Sequence, residues 1–198
     1  EKGADIAGFG ANLSAGYRYG QTKNDMISVD VIYASGDDDA LNDKTYNGVL
    51  TGNMWASPGN VFIGSGAHLL FPHGNVVNRF TPVVADFSNM GYGLFGGTFN
   101  ASRDLIPHKL NVKLGAAYAM SVAEPAGGGK NLGTEVNGVV AYNFGPFMSL
   151  ELHGAYMSLG DFFDSNDARY GADVNSTFND ERPIDPWTAF VVFKWLMF

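Results

Sequence analysis

Residues 132–160 read LGTEVNGVVAYNFGPFMSLELHGAYMSLG, and this stretch decides the fold. Every second residue of 132–142, starting with Leu132, is largely apolar, while the charged and amide side chains fall between them. A turn at 144–146 follows, and the alternation resumes over 148–156. Side chains along a strand point alternately to its two faces, so the pattern predicts a hairpin with one apolar and one polar face.

Shorter versions of this alternation recur along the rest of the chain. They predict one strand in each of five further segments, which brings the total to about seven strands. In the third of these segments, the pattern assigns Met90, Tyr92 and Leu94 to the apolar face. A weaker candidate at 61–71 would supply an eighth strand. The five segments are 7–19, 27–33, 84–100, 110–120 and 186–198.

The last predicted strand has two apolar rows. One row holds Phe190, Val192, Leu196 and the terminal Phe198, and Lys194 interrupts it. The opposite row, made of the intervening residues, is equally apolar. A bulge, a contact with a further subunit, or a Lys194 side chain that reaches towards the membrane interface would each account for the interruption.

Composition favours a β-protein and excludes several functional classes. The chain has 198 residues with 26 Gly, 14% aromatic and 16% charged residues, which favours strands and turns. It has no Cys, so neither disulfides nor thiolate metal sites are available. A net charge of −8 argues against nucleic acid as a partner. The chain has no run of about 20 apolar residues, which a membrane-spanning helix would need. A transmembrane barrel has a mixed composition like this one, because half of each strand faces a polar lumen.

Connection lengths predict the topology. Short connections alternate with long ones, and outer-membrane barrels combine short periplasmic turns with long extracellular loops. We therefore expect residues 1–198 to form a single all-β domain, a transmembrane antiparallel β-barrel of outer-membrane type. Its long extracellular loops would lie near 36–82 and 161–185.

The strand count predicts that the barrel is larger than this chain. About seven strands is an odd number, whereas single-chain bacterial barrels have an even number. We therefore expect the C-terminal part of a larger barrel, with further strands supplied by an N-terminal part or by another chain. A complete eight-stranded barrel that includes 61–71 is the alternative.

Polar side chains on the face opposite the apolar rows are the candidate pore-lining residues. Charges inside a membrane barrel must face water or one another. Two of the candidates are positive and three are negative, a balance that disfavours an anionic polysaccharide as the solute. The candidates are Arg18, Asp30, Lys113, Glu135, Asn137, Glu151 and His153.

A hydrolase triad of Ser149, Glu151 and His153 is the alternative use of one polar row. Residues two apart on a strand are separated by about 6.6 to 6.8 Å, too far for a direct bond between the serine and the histidine unless their side chains lean together. We therefore predict that this row is a hydrated lumen wall with no catalytic residues, and that the chain is not an enzyme. The acidic clusters at 37–43 and 161–173 do not match a calcium-binding loop, so no metal site is predicted.

Several short motifs resemble outer-membrane porins of the alginate-export-like family. They are YASGDDD at 33–39, GTEV at 133–136, the segment 156–163 and the terminal Phe198. The resemblance covers most of the chain and corresponds to the C-terminal part of the barrel. It implies a large β-barrel in the outer membrane of a Gram-negative bacterium that lets solutes pass without a cofactor or catalysis.

Three functions are consistent with these patterns. The first is a channel for passive passage of small solutes or ions through a water-filled lumen, with the lipid bilayer as its partner. The second is a structural barrel that encloses or anchors a partner protein at the outer membrane. The third is a soluble β-sandwich binding module, which the extent of the apolar rows disfavours.

Overall fold

The computed structural model describes residues 5–38, 45–49, 66–71, 89–165 and 183–196. Their regular structure is almost entirely extended, which confirms the predicted all-β class. Two short 3₁₀ helices, Asn89–Gly91 and Asp161–Asp164, interrupt it. Within these ranges, no helix has the length and apolar character needed to cross a membrane.

The described part of the chain forms nine strands: β1 Asp5–Ile6, β2 Gly10–Arg18, β3 Met26–Ala34, β4 Thr45–Tyr46, β5 Leu94–Ile106, β6 Leu110–Met120, β7 Asn131–Gly145, β8 Met148–Leu159 and β9 Trp187–Trp195. Seven of them form one antiparallel sheet in the order β2-β3-β5-β6-β7-β8-β9, in which every strand pairs with the nearest sheet strands along the chain. The other two, β1 and β4, form a separate parallel pair.

The predicted antiparallel arrangement and the seven main strands are confirmed. Strands β2 and β9 form the two edges, and no ladder between them closes the sheet in the described part of the chain. The weak strand candidate at 61–71 is wrong over residues 66–71, which form no strand. Its first part, and most of the predicted loops 36–82 and 161–185, lie outside the described residues.

The two faces of the sheet differ sharply in chemistry. One face, here called the outer face, carries apolar side chains that are exposed along all seven strands. The opposite inner face carries most of the charged and amide side chains of the strands. Exposed outer-face residues include Leu13, Tyr17, Val29, Phe95, Phe99, Leu114, Tyr118, Val136, Val140, Leu150, Leu152, Tyr156, Val191 and Phe193.

The two ends of the sheet also differ. Short turns join β2 to β3, β5 to β6 and β7 to β8 at one end, here called the turn end. Longer connections leave the opposite, loop end. There the inner face is covered by residues 66–71, here called the inner segment, and by the 3₁₀ helix after β8. These elements bury a compact apolar cluster that includes Ile32, Leu70, Phe71, Leu94, Leu132, Met157 and Phe162.

The prediction for Leu132 is wrong, because this side chain is fully buried in the loop-end cluster. A bulge accounts for the change: β6 and β7 shift register here, so that Ala119 pairs with Gly133 while Met120 pairs with Asn131. Gly133 has a φ of 135°, a conformation that glycine adopts most readily. From Thr134 onwards, the predicted alternation holds.

The predicted register of β5 is also wrong, and the structure decides between the two rows left open in β9. In β5, Leu94 is buried on the inner face, and the exposed outer row begins at Phe95. In β9, Phe190 pairs with His153, a residue of the inner row of β8, so Phe190 and Val192 face inward and the alternative row faces outward. Lys194 therefore belongs to the inner row and interrupts no outer one.

Candidate functional site

All seven predicted pore-lining residues lie in inner-face rows, but only some of them come together. Glu135, Asn137 and His153 contact the inner segment or each other through polar atoms, and Glu151 joins them through His153. Lys113 lies on the neighbouring strand, where its charge interacts with that of Asp30. Arg18 lies on the exposed edge strand β2, at the turn end.

Glu135 anchors the inner segment to the sheet. Its side chain is fully buried, and its carboxylate accepts the backbone N–H groups of His68 at 2.6 Å, Leu69 at 2.9 Å and Leu70 at 2.6 Å. Hydrogen bonds from N–H groups to a carboxylate are about twice as strong as those between neutral groups. The negative charge of Glu135 is thus satisfied by main-chain donors, and it does not face the open space of the sheet.

Asn137 holds the start of the same segment. Its Nδ2 donates to the carbonyl oxygen of Gly66 at 3.1 Å and to Oε1 of Glu135 at 3.0 Å. Glu135 therefore binds three of the first five residues of the inner segment to β7, and Asn137 binds the first residue. The sequence offered no signal for these contacts, because they use backbone groups that every residue has.

A chain of polar contacts runs from the inner segment towards the turn end. His68 Nε2 lies 3.3 Å from His153 Nδ1, and His153 Nε2 lies 3.0 Å from Glu151 Oε2. Lys194 Nζ donates to Glu151 Oε1 at 2.5 Å. The ring of Phe190 stacks on His153 with a centroid distance of 4.6 Å. The sequence prediction named Glu151 and His153 but missed His68 and the inward position of Lys194.

The histidine pair accommodates one added proton but not two. When His153 donates from Nε2 to Glu151, its Nδ1 is free to accept a hydrogen bond from His68. A proton on His153 reverses that bond, with His68 as the acceptor. Protonation of both rings leaves two donors and two positive charges in contact. Burial lowers the pKa of His68, so the structure favours its neutral form.

A triad of Ser149, Glu151 and His153 needs two hydrogen bonds, and the structure shows one of them. Glu151 and His153 lean together, as their 3.0 Å contact shows. Among the described residues, however, no hydrogen bond joins Ser149 to His153. Within the same ranges, no group of three or more histidine or carboxylate side chains is arranged to hold a metal ion.

A second polar cluster ties the turns together at the turn end. Asp25 accepts the backbone N–H of Asp104 at 2.9 Å and that of Thr22 at 3.2 Å, and these donors lower the pKa of Asp25. Asp104 accepts from the side-chain amides of Asn24 at 3.0 Å and Asn111 at 2.9 Å. The Thr22 contact lies within the turn after β2, and the others join that turn to β5 and β5 to β6, so the cluster fixes the turn end of β2, β3, β5 and β6.

Comparison with known proteins adds no assignment. No protein-family model, no curated protein and no solved structure matched this chain. The functional interpretation therefore depends on the two faces of the sheet and on the contacts of the inner segment.

Proposed function

We propose that this chain is part of a transmembrane β-barrel of the bacterial outer membrane, and that the barrel is a channel for small solutes or ions. One observation carries the proposal: large apolar side chains are exposed on the outer face of seven adjacent strands. Monomeric soluble proteins rarely expose contiguous apolar patches larger than several hundred Å². Such a face suits contact with lipid, like the outward apolar band of an outer-membrane barrel.

The inner face supports an aqueous path. Its rows place Asp30, Asn100, Lys113 and Glu151 opposite the apolar rows of the same strands. Charged groups at membrane depth face water or one another, and selectivity in channels arises from such groups. The resemblance to porins of the alginate-export-like family agrees with this proposal.

The two edges of the sheet support the proposal that further strands complete the barrel. Backbone N–H and C=O groups within a membrane must be paired, because lipid offers them no partner. Strand β2 has one unpaired edge and β9 has another in the described part of the chain. In the proposed barrel, strands from an N-terminal part of the protein or from another chain pair with both.

The inner segment would narrow this channel towards the loop end. It lies against the inner face, where Glu135 binds its backbone, whereas Lys113, Glu151 and Lys194 lie nearer the turn end of the same face. In this arrangement, the loop-end half limits the size of a solute, and the charges of the turn-end half set ion preference.

Conductance in planar lipid bilayers tests the channel. The full protein, folded in detergent and then inserted, should give stepwise currents. Glu151→Gln should fold normally and change the ratio of cation to anion permeability, because it removes an inner-face charge. Glu124→Gln is the matched control, since Glu124 is exposed in the connection between β6 and β7. A folded, inserted protein that never conducts would overturn the proposal.

A scaffold barrel that anchors a partner protein is the second candidate. The observation that favours it is the apolar cluster on the inner face, where Leu70, Phe71 and Phe162 are almost completely buried. A lumen filled in this way would block solute flow. The scaffold function predicts a partner that co-purifies in a fixed ratio, together with a silent bilayer recording.

A further inference from the structure

Two asparagines face each other across a glycine on the inner face. Asn100 of β5 and Asn137 of β7 both pair with Gly115 of β6, so the three residues form one row across three strands. A Cβ atom at Gly115 would lie 2.6 Å from Asn100 Oδ1 and 2.5 Å from Asn137 Oδ1. Both amide oxygens therefore point at the space above the glycine.

Among the described residues, neither oxygen has a hydrogen-bond donor. Asn100 is 4% exposed and Asn137 is 8% exposed, and the Oδ1 atom of each is buried without a hydrogen-bond partner. Buried polar atoms in proteins are nearly always hydrogen-bonded, so two such acceptors aimed at one point require an explanation.

The orientation of both amides is fixed by their nitrogen atoms. Asn100 Nδ2 donates to Thr98 Oγ1 at 3.2 Å, and Asn137 Nδ2 donates to Glu135 Oε1 at 3.0 Å. Thr98 Oγ1 donates its one hydrogen to Asp30 Oδ2, so it accepts from Asn100 and orients that amide. Exchanging nitrogen and oxygen in Asn137 would place its oxygen against a carboxylate. The two oxygens therefore keep their positions above Gly115.

The surroundings favour a positive charge at this point. From Asn100, hydrogen bonds lead through Thr98 to Asp30 Oδ2 at 3.4 Å, and from Asn137 they lead directly to Glu135. Each amide dipole thus has its positive end towards a buried carboxylate and its negative end towards the glycine. Lys113, which interacts with Asp30, is one positive charge beside two negative ones.

The inner segment covers the same row. A Cβ atom at Gly66 would lie 2.2 Å from Thr98 Oγ1 on β5, and the carbonyl oxygen of Gly66 accepts from Asn137 on β7. Because β6 lies between these two strands, the backbone at Gly66 crosses over β6 close to Gly115. The space between the asparagines is thereby shielded from bulk water.

We propose that the space above Gly115 binds one small monovalent cation, held by Asn100 Oδ1 and Asn137 Oδ1. Neutral amide oxygens are hard ligands that suit alkali ions. A calcium or magnesium site would need carboxylates among its direct ligands, and transition metals prefer imidazole or thiolate. The proposal rests on the local geometry of β5, β6 and β7 and does not depend on the channel function.

Thermal unfolding of the folded full chain tests the site. At equal ionic strength, sodium, potassium or rubidium chloride should raise the melting temperature above that in choline chloride, since a ligand that binds the folded state stabilises it. Gly115→Ala should abolish this difference, because its Cβ would collide with both oxygens. Gly138→Ala is the matched control, since its Cβ would make only ordinary contacts, the nearest at 3.4 Å.

A second variant and a crystal keep the test decisive if Gly115→Ala does not fold. Asn100→Asp should lower the cation concentration needed for half of the effect by at least about tenfold, because a carboxylate attracts a cation more strongly than an amide. Rubidium-soaked crystals should show an anomalous peak between the two oxygens.

Any of four results would overturn the site. They are an ion effect that persists in Gly115→Ala, an unchanged ion dependence in Asn100→Asp, a water molecule between the oxygens in place of rubidium, and the Lys113 ammonium at that position. Each leaves the channel proposal intact, because that proposal is decided by bilayer currents.

Discussion

Replacing Glu135 with glutamine should release the inner segment while the seven-stranded sheet stays folded. Each carboxylate oxygen of Glu135 accepts two N–H groups: Oε1 those of His68 and Asn137, and Oε2 those of Leu69 and Leu70. Glutamine keeps one oxygen and presents an NH₂ group in place of the other. Two of the four donors then face another donor.

The expected magnitude follows from the bonds that are lost. Hydrogen bonds to charged groups contribute about 1.5–3 kcal/mol each, so two of them contribute about 3–6 kcal/mol. With the lower figure for each bond, the net effect is about 3 kcal/mol. The equilibrium for local opening of the segment should therefore rise roughly 100-fold.

Hydrogen–deuterium exchange of the backbone amides at 68–70 measures this opening directly, because protected amides exchange through local unfolding. Their exchange should accelerate in Glu135→Gln, and the amides of β6 to β8 should keep their protection. Glu124→Gln, an exposed carboxylate, should change neither. Unchanged protection at 68–70 would refute the anchoring role of Glu135, and accelerated exchange across all three strands would show that the sheet itself depends on it.

Other substitutions probe the faces, the histidine pair and the bulge. Leu150→Arg should lower the unfolding free energy in lipid vesicles by about 2–4 kcal/mol, measured in urea, with Ser149→Arg on the inner face costing much less. Docking of the inner segment should weaken as the pH falls below about 6.5, because undocked His68 binds a proton more readily than docked His68, whose pKa is lowered. His68→Gln should flatten this dependence of amide exchange on pH. Gly133→Ala should cost about 1–3 kcal/mol in denaturant unfolding, since its φ is 135°, whereas Gly138→Ala should not.

Period-two alternation was enough to predict most of the strands, because every strand of this sheet except β9 has one apolar face and one more polar face. The hairpin predicted at 132–160 corresponds to β7 and β8, and the strand predicted at 110–120 has the bounds of β6. Alternation failed where the geometry departs from a regular strand. The bulge at Gly133 turned Leu132 inward, and β9 has two apolar rows, so hydrophobicity alone could not choose between them.

The candidate site was predictable only in part, for a different physical reason. Alternation placed Glu135, Asn137, Glu151 and His153 on one face, which the strand register bears out. The inner segment comes from a long connection with only weak alternation, and Glu135 binds its main chain, so no residue type identified the partner. The inward position of Lys194 was not predicted, because both rows of its strand are apolar.

The contacts of the inner-face charges matter more than their number. The structure adds one positive and one negative side chain to the predicted set, so the balance remains one negative charge in excess. Three of the four carboxylates, however, are bound locally: Glu135 by backbone amides, Asp104 by two asparagines and Glu151 by Lys194. The fourth, Asp30, interacts with Lys113. In the proposed channel, ion preference would therefore depend on which of these charge pairs a solute can displace. The pair of Glu151 and Lys194, nearest the turn end, is the most accessible because Lys194 is exposed. The inner-face charges are Arg18, Lys113 and Lys194 against Asp30, Asp104, Glu135 and Glu151.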